Sequence, residues 1–239
     1  MAHRRGTSLC RRAEGPDLAE SFDELSDLAG GPLLFQAMVG PAMFDVVLES
    51  TRTFTQAEFA RQADWLHRWS RPLRVELLHG RIVMTPPAGY PHGEIAANIV
   101  RILGTFVHAG AKGKVFDSSQ GFELPSGDTV EPDVTFISIE RWSAAPPPED
   151  GAFLRVVPDL VVEILSPSTA SKDRGEKKAI YEQNGVREYW LVDRTARETV
   201  AFTIEDGGRY GQERVFAERE RPTSFVLAGL AFDVAEVLP

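Results

Sequence analysis

A single cysteine, Cys10, stands in a chain of 239 residues. One thiol excludes an internal disulfide framework and a multi-cysteine zinc site, and it makes a reducing, cytoplasmic setting the default expectation. No apolar run approaches the ~18 residues of a membrane span, so no transmembrane segment is expected. The opening residues MAHRRGTSLCRRAEGPD hold two Arg pairs. No apolar stretch follows them at once, and no export signal is read there. Positive charge is also in short supply. Lys and Arg number 26 against 35 Asp and Glu, a formal net charge of −9, which argues against broad, non-specific coating of nucleic acid. Internal repeats and low-complexity tracts are missing too. What remains, 43% hydrophobic and 26% charged residues, is the composition of a globular chain with one sizeable core or at most two small ones.

Residues 1–50 carry no sustained period and are broken by Gly30-Gly31-Pro32 and Gly40-Pro41. They are expected to form a loosely attached, poorly ordered N-terminal extension with a short helix near 17–28. Met43 lies close to where regular patterning begins and is an alternative start. Residues 51–239 are expected to form the folded domain. Thr55 with Glu58 is a capping-box pattern that opens a helix reaching about Trp69. Two strands, 74–78 and 81–85, flank His79-Gly80 as a hairpin. Ile95, Ile99, Ile102, Leu103, Phe106 and Val107 recur at helical spacing over 92–109, and Gly110 stops that helix. Strands are expected at 114–124 and 129–137, then a surface loop at 141–153. The near-continuous apolar run DLVVEIL, 159–165, predicts a central buried strand. A helix over 173–184 and strands at 188–193, 198–204 and 210–216 complete the pattern. Hairpins mixed with one strand–helix–strand crossover indicate an α/β fold with a mixed sheet.

Four polar residues stand out against this background. Glu163 lies inside the apolar run and shares a strand face with Val161 and Leu165. A lone carboxylate there costs several kcal/mol unless it is paired or metal-bound; the bland alternative is a strand-end salt bridge. Asp133 falls on the strand face of Glu131 and Ile137, opposite Val130, Val134 and Phe136, and read alone is an ordinary edge polar residue. Two acids on neighbouring strands change that balance, since together they can share one Mg²⁺. Lys177 precedes Ile180 by three residues and Tyr181 by four, so it shares the inner helix face, whereas Lys178 turns about 100° away toward solvent. Glu76 is the third acid and the fourth candidate; the bland alternative is an ordinary polar position in a hairpin. His92 opens the next helix and reads first as a helix-start polar contact.

The segments VELLHGRIV, PHGEIAANIV, VEPDVTFIS, PDLVVEILSPST, DRGEKKAIYEQNGVREYWLVD and LAGLAFDVAEVL, in this order over roughly residues 53–239, resemble the Uma2 family of proposed restriction endonucleases. The resemblance implies a restriction-endonuclease-like fold of the PD-(D/E)xK class: a mixed β-sheet core flanked by helices, with additional antiparallel strands. It carries the family's acidic positions onto Glu76, Asp133 and Glu163. Leu165 stands where the general signature places lysine, and Lys177 matches the lysine displaced onto the following helix. Pro158-Asp159 also spells PD. Asp159, however, lies four residues before Glu163 at about 3.3 Å per residue, too far to share a compact site, so Pro132-Asp133 is the operative pair.

The activity so implied is Mg²⁺-dependent hydrolysis of DNA phosphodiesters, with Mn²⁺ as a possible substitute. Asp133, Glu163 and the backbone carbonyl of Ile164 would hold the metal, with Glu76 bound to it directly or through water; Lys177 would orient the attacking water or stabilise transition-state charge, and Arg174 and Arg187 would grip flanking phosphates. The acidic overall balance is no obstacle, because such a site needs only a local basic surround. The alternatives are a catalytically inactive nuclease-fold module binding nucleic acid or a protein partner, and a hydrolase of another phosphodiester. Strand-rich sequence around Tyr189, Trp190 and Leu191 suggests open sheet edges, for which a homodimer is one cover.

Overall fold

The structure, a computed structural model, describes residues 35–39, 46–69, 73–110 and 112–239. In chain order its elements are β1 (Phe35–Val39), β2 (Val46–Ser50), α1 (Gln56–Trp69), β3 (Arg74–Leu78), β4 (Arg81–Thr85), α2 (His92–Ala109), β5 (Gly113–Asp117), β6 (Phe122–Glu123), β7 (Thr129–Val130), β8 (Val134–Ser138), α3 (Ile139–Ala144), β9 (Leu160–Ile164), α4 (Ala170–Lys172), a π-helical turn (Asp173–Lys177), α5 (Lys178–Gln183), β10 (Glu188–Asp193), β11 (Glu198–Thr203), β12 (Arg214–Ala217) and a 3₁₀ turn (Val234–Glu236). The strands form two six-stranded sheets, ordered β1-β2-β4-β3-β7-β6 and β12-β11-β10-β9-β8-β5. The first is antiparallel throughout. The second is mixed, with β9 and β10 its parallel pair. A parallel pair needs a crossover, and the α4–π–α5 segment supplies it.

Local chemistry explains most elements. His79 and Gly80 both take positive φ, 48° and 78°, as a tight two-residue hairpin turn requires. The Thr55 amide donates to Glu58 Oε2 at 2.7 Å and the Glu58 amide to Thr55 Oγ1 at 3.2 Å, completing the capping box of α1. The apolar stripe of α2, namely Ile95, Ile99, Leu103 and Val107, is buried against Val134, Phe136, Leu160, Val162, Ile164 and Trp190 on one face of the second sheet. The C-terminal segment adds Leu227, Leu230, Phe232 and Val237 to that same core. On the opposite face, Val161, Leu165, Tyr189 and Leu191 meet Ile180 and Tyr181 of α5 together with Leu78, Val83, Phe122 and Val130 of the first sheet. The second sheet is therefore covered on both faces, and β9 reads as a continuous apolar run for that reason.

Several expectations need correction. The single strand expected at 129–137 is two strands in different sheets. Pro132 cannot donate to a ladder, and the chain changes sheets around it, so Val130 belongs to one core cluster while Val134 and Phe136 belong to the other. The strand expected at 114–124 is likewise broken, by a turn in which Asp117 accepts from the Ser119 amide at 3.0 Å. Residues 139–144, placed partly in a loop, form α3, capped by Ser138 Oγ accepting from the Arg141 amide at 3.3 Å. The last strand expected at 210–216 begins only at Arg214, after a bridge between Tyr210 and Ile204. The stretch 46–50 is part of the body, since β2 pairs with β4 and Ser50 Oγ accepts from the Ile82 amide at 2.9 Å. Residues 1–34, including the helix expected near 17–28, lie outside the described residues. Tyr189, Trp190 and Leu191 sit on β10, an interior strand, so they offer no open edge.

Candidate active site

The four chemically distinctive residues come together. Extending the β8–β9 register by one residue sets Asp133 across from Glu163, the arrangement in which side chains on neighbouring strands share a face. Glu76 reaches in from β3, and Lys177 descends from the π-helical turn. Their relative exposures are 2% for Asp133, 2% for Glu163, 4% for Glu76 and 4% for Lys177. The Lys177 ammonium stands 2.6 Å from Glu163 Oε1 and 3.0 Å from Glu76 Oε1. Tyr181, one helical turn on, donates its hydroxyl to Glu163 Oε1 at 2.7 Å. Glu76 Oε1 also accepts from the Glu131 amide at 2.9 Å.

Asp133 is held differently. Its Oδ1 accepts from Arg74 at 2.8 Å, and its Oδ2 lies 2.8 Å from the Ile164 amide and 3.0 Å from His92 Nε2. Against an ionised carboxylate that ring nitrogen must carry the proton. In a strand a residue's N–H and C=O point to the same edge, so the Ile164 carbonyl faces the Asp133 side as well. These groups line a cavity of about 240 Å³, together with the loop from Pro86 to Tyr90 and the segment from Leu165 to Thr169.

The electrostatics follow from burial and pairing. Burial alone would raise the Asp133 carboxyl, but the His92 hydrogen bond, the Arg74 guanidinium and the Ile164 amide hold it well below the usual carboxylate range. Glu163 goes the other way: its burial outweighs the pull of Lys177, and its pKa is raised. Burial would lower Lys177, but Glu163 and Glu76 overcome it and hold the ammonium charged well above its ordinary value. Burial and the neighbouring Glu163 charge push Asp173 well above the ordinary aspartate value.

Sequence reasoning missed four of these participants. Arg74 sits at the first position of β3, where nothing local marks it. His92, read as a polar helix-start contact, contacts Asp133 directly. Asp173 precedes Lys177 by four residues, and that spacing was the available signal. Tyr181 was placed on the inner face correctly, but its hydroxyl partner was not foreseen. Of the two arginines expected to grip phosphates, Arg174 pairs with Asp193 at 2.8 Å. Arg187 lies at the opposite end of the strands, 3.4 Å from Asp159, and does not reach the cavity. Asp159 is a buried structural node, as expected: it accepts from the Ser138 amide at 2.7 Å and pairs with Arg141 at 3.3 Å. Lys178 turns away from the site, but its ammonium lies 3.8 Å over the Phe202 ring rather than in open water.

Hard oxygen donors are what Mg²⁺ or Mn²⁺ requires, and Asp133, Glu163, Glu76 and the Ile164 carbonyl supply them. The donor chemistry therefore fits such an ion. Arg74 and Lys177 occupy these oxygens as counter-cations, and among the described residues no three His, Cys, Asp or Glu side chains are grouped as a ligand set.

A family model described as "Uma2: Putative restriction endonuclease" matches residues 63–235. No curated protein matches the sequence significantly. Among solved structures, one of a putative nuclease belonging to DUF820 from Anabaena variabilis aligns with a TM-score of 0.61 at 17% identity, over 77% of this chain and 97% of that one. At that identity the likeness shows a shared fold, and the expected mixed α/β core flanked by helices stands.

Proposed function

This chain belongs to the Uma2 family, and from that premise we propose that it hydrolyses DNA phosphodiester bonds at the acid–lysine network, with Mg²⁺ or Mn²⁺ as the working ion. The observation that carries the reading is the buried Lys177 ammonium shared between Glu163 and Glu76, beside Asp133, in one cavity. Three acids and a lysine so deeply buried cost several kcal/mol each before pairing, and an apolar core of the same shape would hold the sheets together without them. Asp133, Glu163, Glu76 and the Ile164 carbonyl are the groups that would hold the ion. When bound, a hard divalent cation supplies Lewis acidity toward a phosphoryl oxygen.

The protein's own groups do the rest. Lys177 keeps its proton, so it acts as a fixed positive charge against the developing negative charge of the transition state, not as a base. Tyr181 holds Glu163 in place from the same helix. Arg74 neutralises Asp133 in this structure; were a cation to take that place, the Arg74 guanidinium fork would be free to meet a phosphate oxygen. We further propose a homodimer, its motive now the short edge strand β12, where Val215 is exposed, and a cytoplasmic setting. Among the described residues no helix is long and apolar enough to cross a membrane.

A second reading has an observation of its own. Both Asp133 oxygens are engaged by protein donors, as suits a catalytically silent module that keeps the fold and binds nucleic acid or a protein partner. Supercoiled-plasmid nicking separates the two. The enzyme reading expects nicking by the wild type with Mg²⁺ or Mn²⁺ and none by Asp133→Ala. Equal, background-level nicking by both proteins favours the silent module.

A further inference from the structure

An aromatic ring and a cation line the cavity without joining the network beneath them. Tyr90, in the loop between β4 and α2, is 81% exposed, the most open large apolar side chain among the described residues. Arg194, in the turn between β10 and β11, is half-buried, and its guanidinium has no ion-pair partner among the described residues. The neighbouring cations differ in this respect: Arg74 pairs with Asp133, Lys172 with Glu49 and Glu176, and Arg174 with Asp193. A half-buried charge with no counter-ion and an exposed aromatic ring on the lining of one cavity are the groups that a nucleotide's phosphate and base complete.

The cavity restricts which strand can use them. Its floor is made of acids exposed by less than one-twentieth, in a space of about 240 Å³, smaller than the ~300–1,000 Å³ of ordinary small-molecule clefts. In an intact duplex the phosphates run along an outer rail while the bases stay stacked inward. A duplex that keeps its bases stacked offers no free base face to Tyr90 while its phosphate lies against Arg194. A strand with an unpaired base bends freely, and that base can splay out onto an aromatic side chain.

We propose that Tyr90 and Arg194 form a nucleotide subsite that stacks an unpaired base and grips its phosphate, making single-stranded DNA the preferred substrate of this site. The proposal rests on the nuclease reading and adds the substrate class. Stacking on an aromatic face is tolerant of base identity, so the subsite selects strandedness rather than sequence.

The test is fluorescence titration of the full-length chain, in metal-chelating buffer so that nothing is cut. The probes are a short single-stranded oligodeoxynucleotide containing a fluorescent adenine analogue and the blunt duplex of the same sequence. The wild type should bind the single strand more tightly and quench the analogue. Tyr90→Ala should weaken single-strand binding roughly 5- to 160-fold, the range that base–aromatic stacking supplies, and abolish the quenching. Tyr90→Trp should restore both. Arg194→Gln should weaken binding and flatten its salt dependence by about one phosphate contact. Tyr90 is exposed, so its variants should fold, which circular dichroism checks. Equal binding of single strand and duplex, unchanged in Tyr90→Ala, overturns the subsite and leaves the nuclease reading intact. Failure of the wild type to bind either probe overturns the subsite, while the nicking assay decides the nuclease reading separately.

Discussion

Replacing Lys177 by alanine removes a cation from between two carboxylates and leaves them stranded. Its ammonium lies 2.6 Å from Glu163 and 3.0 Å from Glu76, and all three side chains are at most 5% exposed. Afterwards Glu163 keeps the Tyr181 hydroxyl at 2.7 Å and Glu76 keeps the Glu131 amide at 2.9 Å. Removing one partner of a buried ion pair costs about 3–5 kcal/mol. For a chain of this size each kcal/mol moves Tm by about 2–4 °C, so the expected loss is about 6–20 °C. The pH dependence has a definite sign. Burial already holds Glu163 above its ordinary value of 4.5, and losing Lys177 raises it further. A raised folded-state pKa gives stability that is present below the ordinary value and lost as pH rises through the folded one. The Lys177→Ala deficit should therefore be largest near neutrality and shrink toward pH 4.5. Adding Glu163→Gln should recover part of the loss, because the stranded charge is gone. Circular-dichroism melts at both pH values read all of this. A drop below about 3 °C at neutral pH, or the same drop at both, refutes the claim that Lys177 is the counter-charge of a buried acid pair. Nicking per folded molecule should fall by about 10²-fold or more in the same variant.

Asp173→Asn should gain stability relative to the wild type as pH rises above the ordinary aspartate value of 3.8, because its raised pKa makes the buried charged form costly; melts across a pH series that run parallel for the two proteins contradict this. Asp159→Ala should cost about 1–3 kcal/mol by stranding the Ser138 amide, and it should leave nicking per folded molecule unchanged because it sits at the far end of β9; a selective loss of activity would place it in the site. Lys178→Ala should remove only the contact over Phe202, about 0.5–1 kcal/mol, with no change in cleavage rate, which denaturant titration alongside the nicking assay checks.

What could be read from the sequence divides along the range of the interactions. The His79-Gly80 hairpin, helix α2 and strand β10 match the residues that periodicity and turn chemistry assigned, because those signals are local. Glu163 betrayed itself as a charge in an apolar run, and Lys177 by its spacing from Ile180 and Tyr181. The break at Pro132 was missed because alternation carries across it on paper, while the chain there leaves one sheet for the other. That transfer depends on distant strands and has no local mark. Arg74 was invisible for the same reason: its role is set by the β3–β8 neighbourhood, 59 residues away in sequence. The π-helical turn was not foreseen either. It brings Asp173 and Lys177 both inward, consistent with the tendency of such turns to occur at functional sites.

The enzymatic reading requires that Asp133, now paired with Arg74, instead hold a divalent ion. A crystal structure of the full-length chain soaked in Mn²⁺, with anomalous scattering recorded, observes it directly. The account predicts one anomalous peak bounded by Asp133, Glu163 and the Ile164 carbonyl, with Arg74 withdrawn from Asp133. A map with no peak there, and Arg74 still on Asp133, would contradict it.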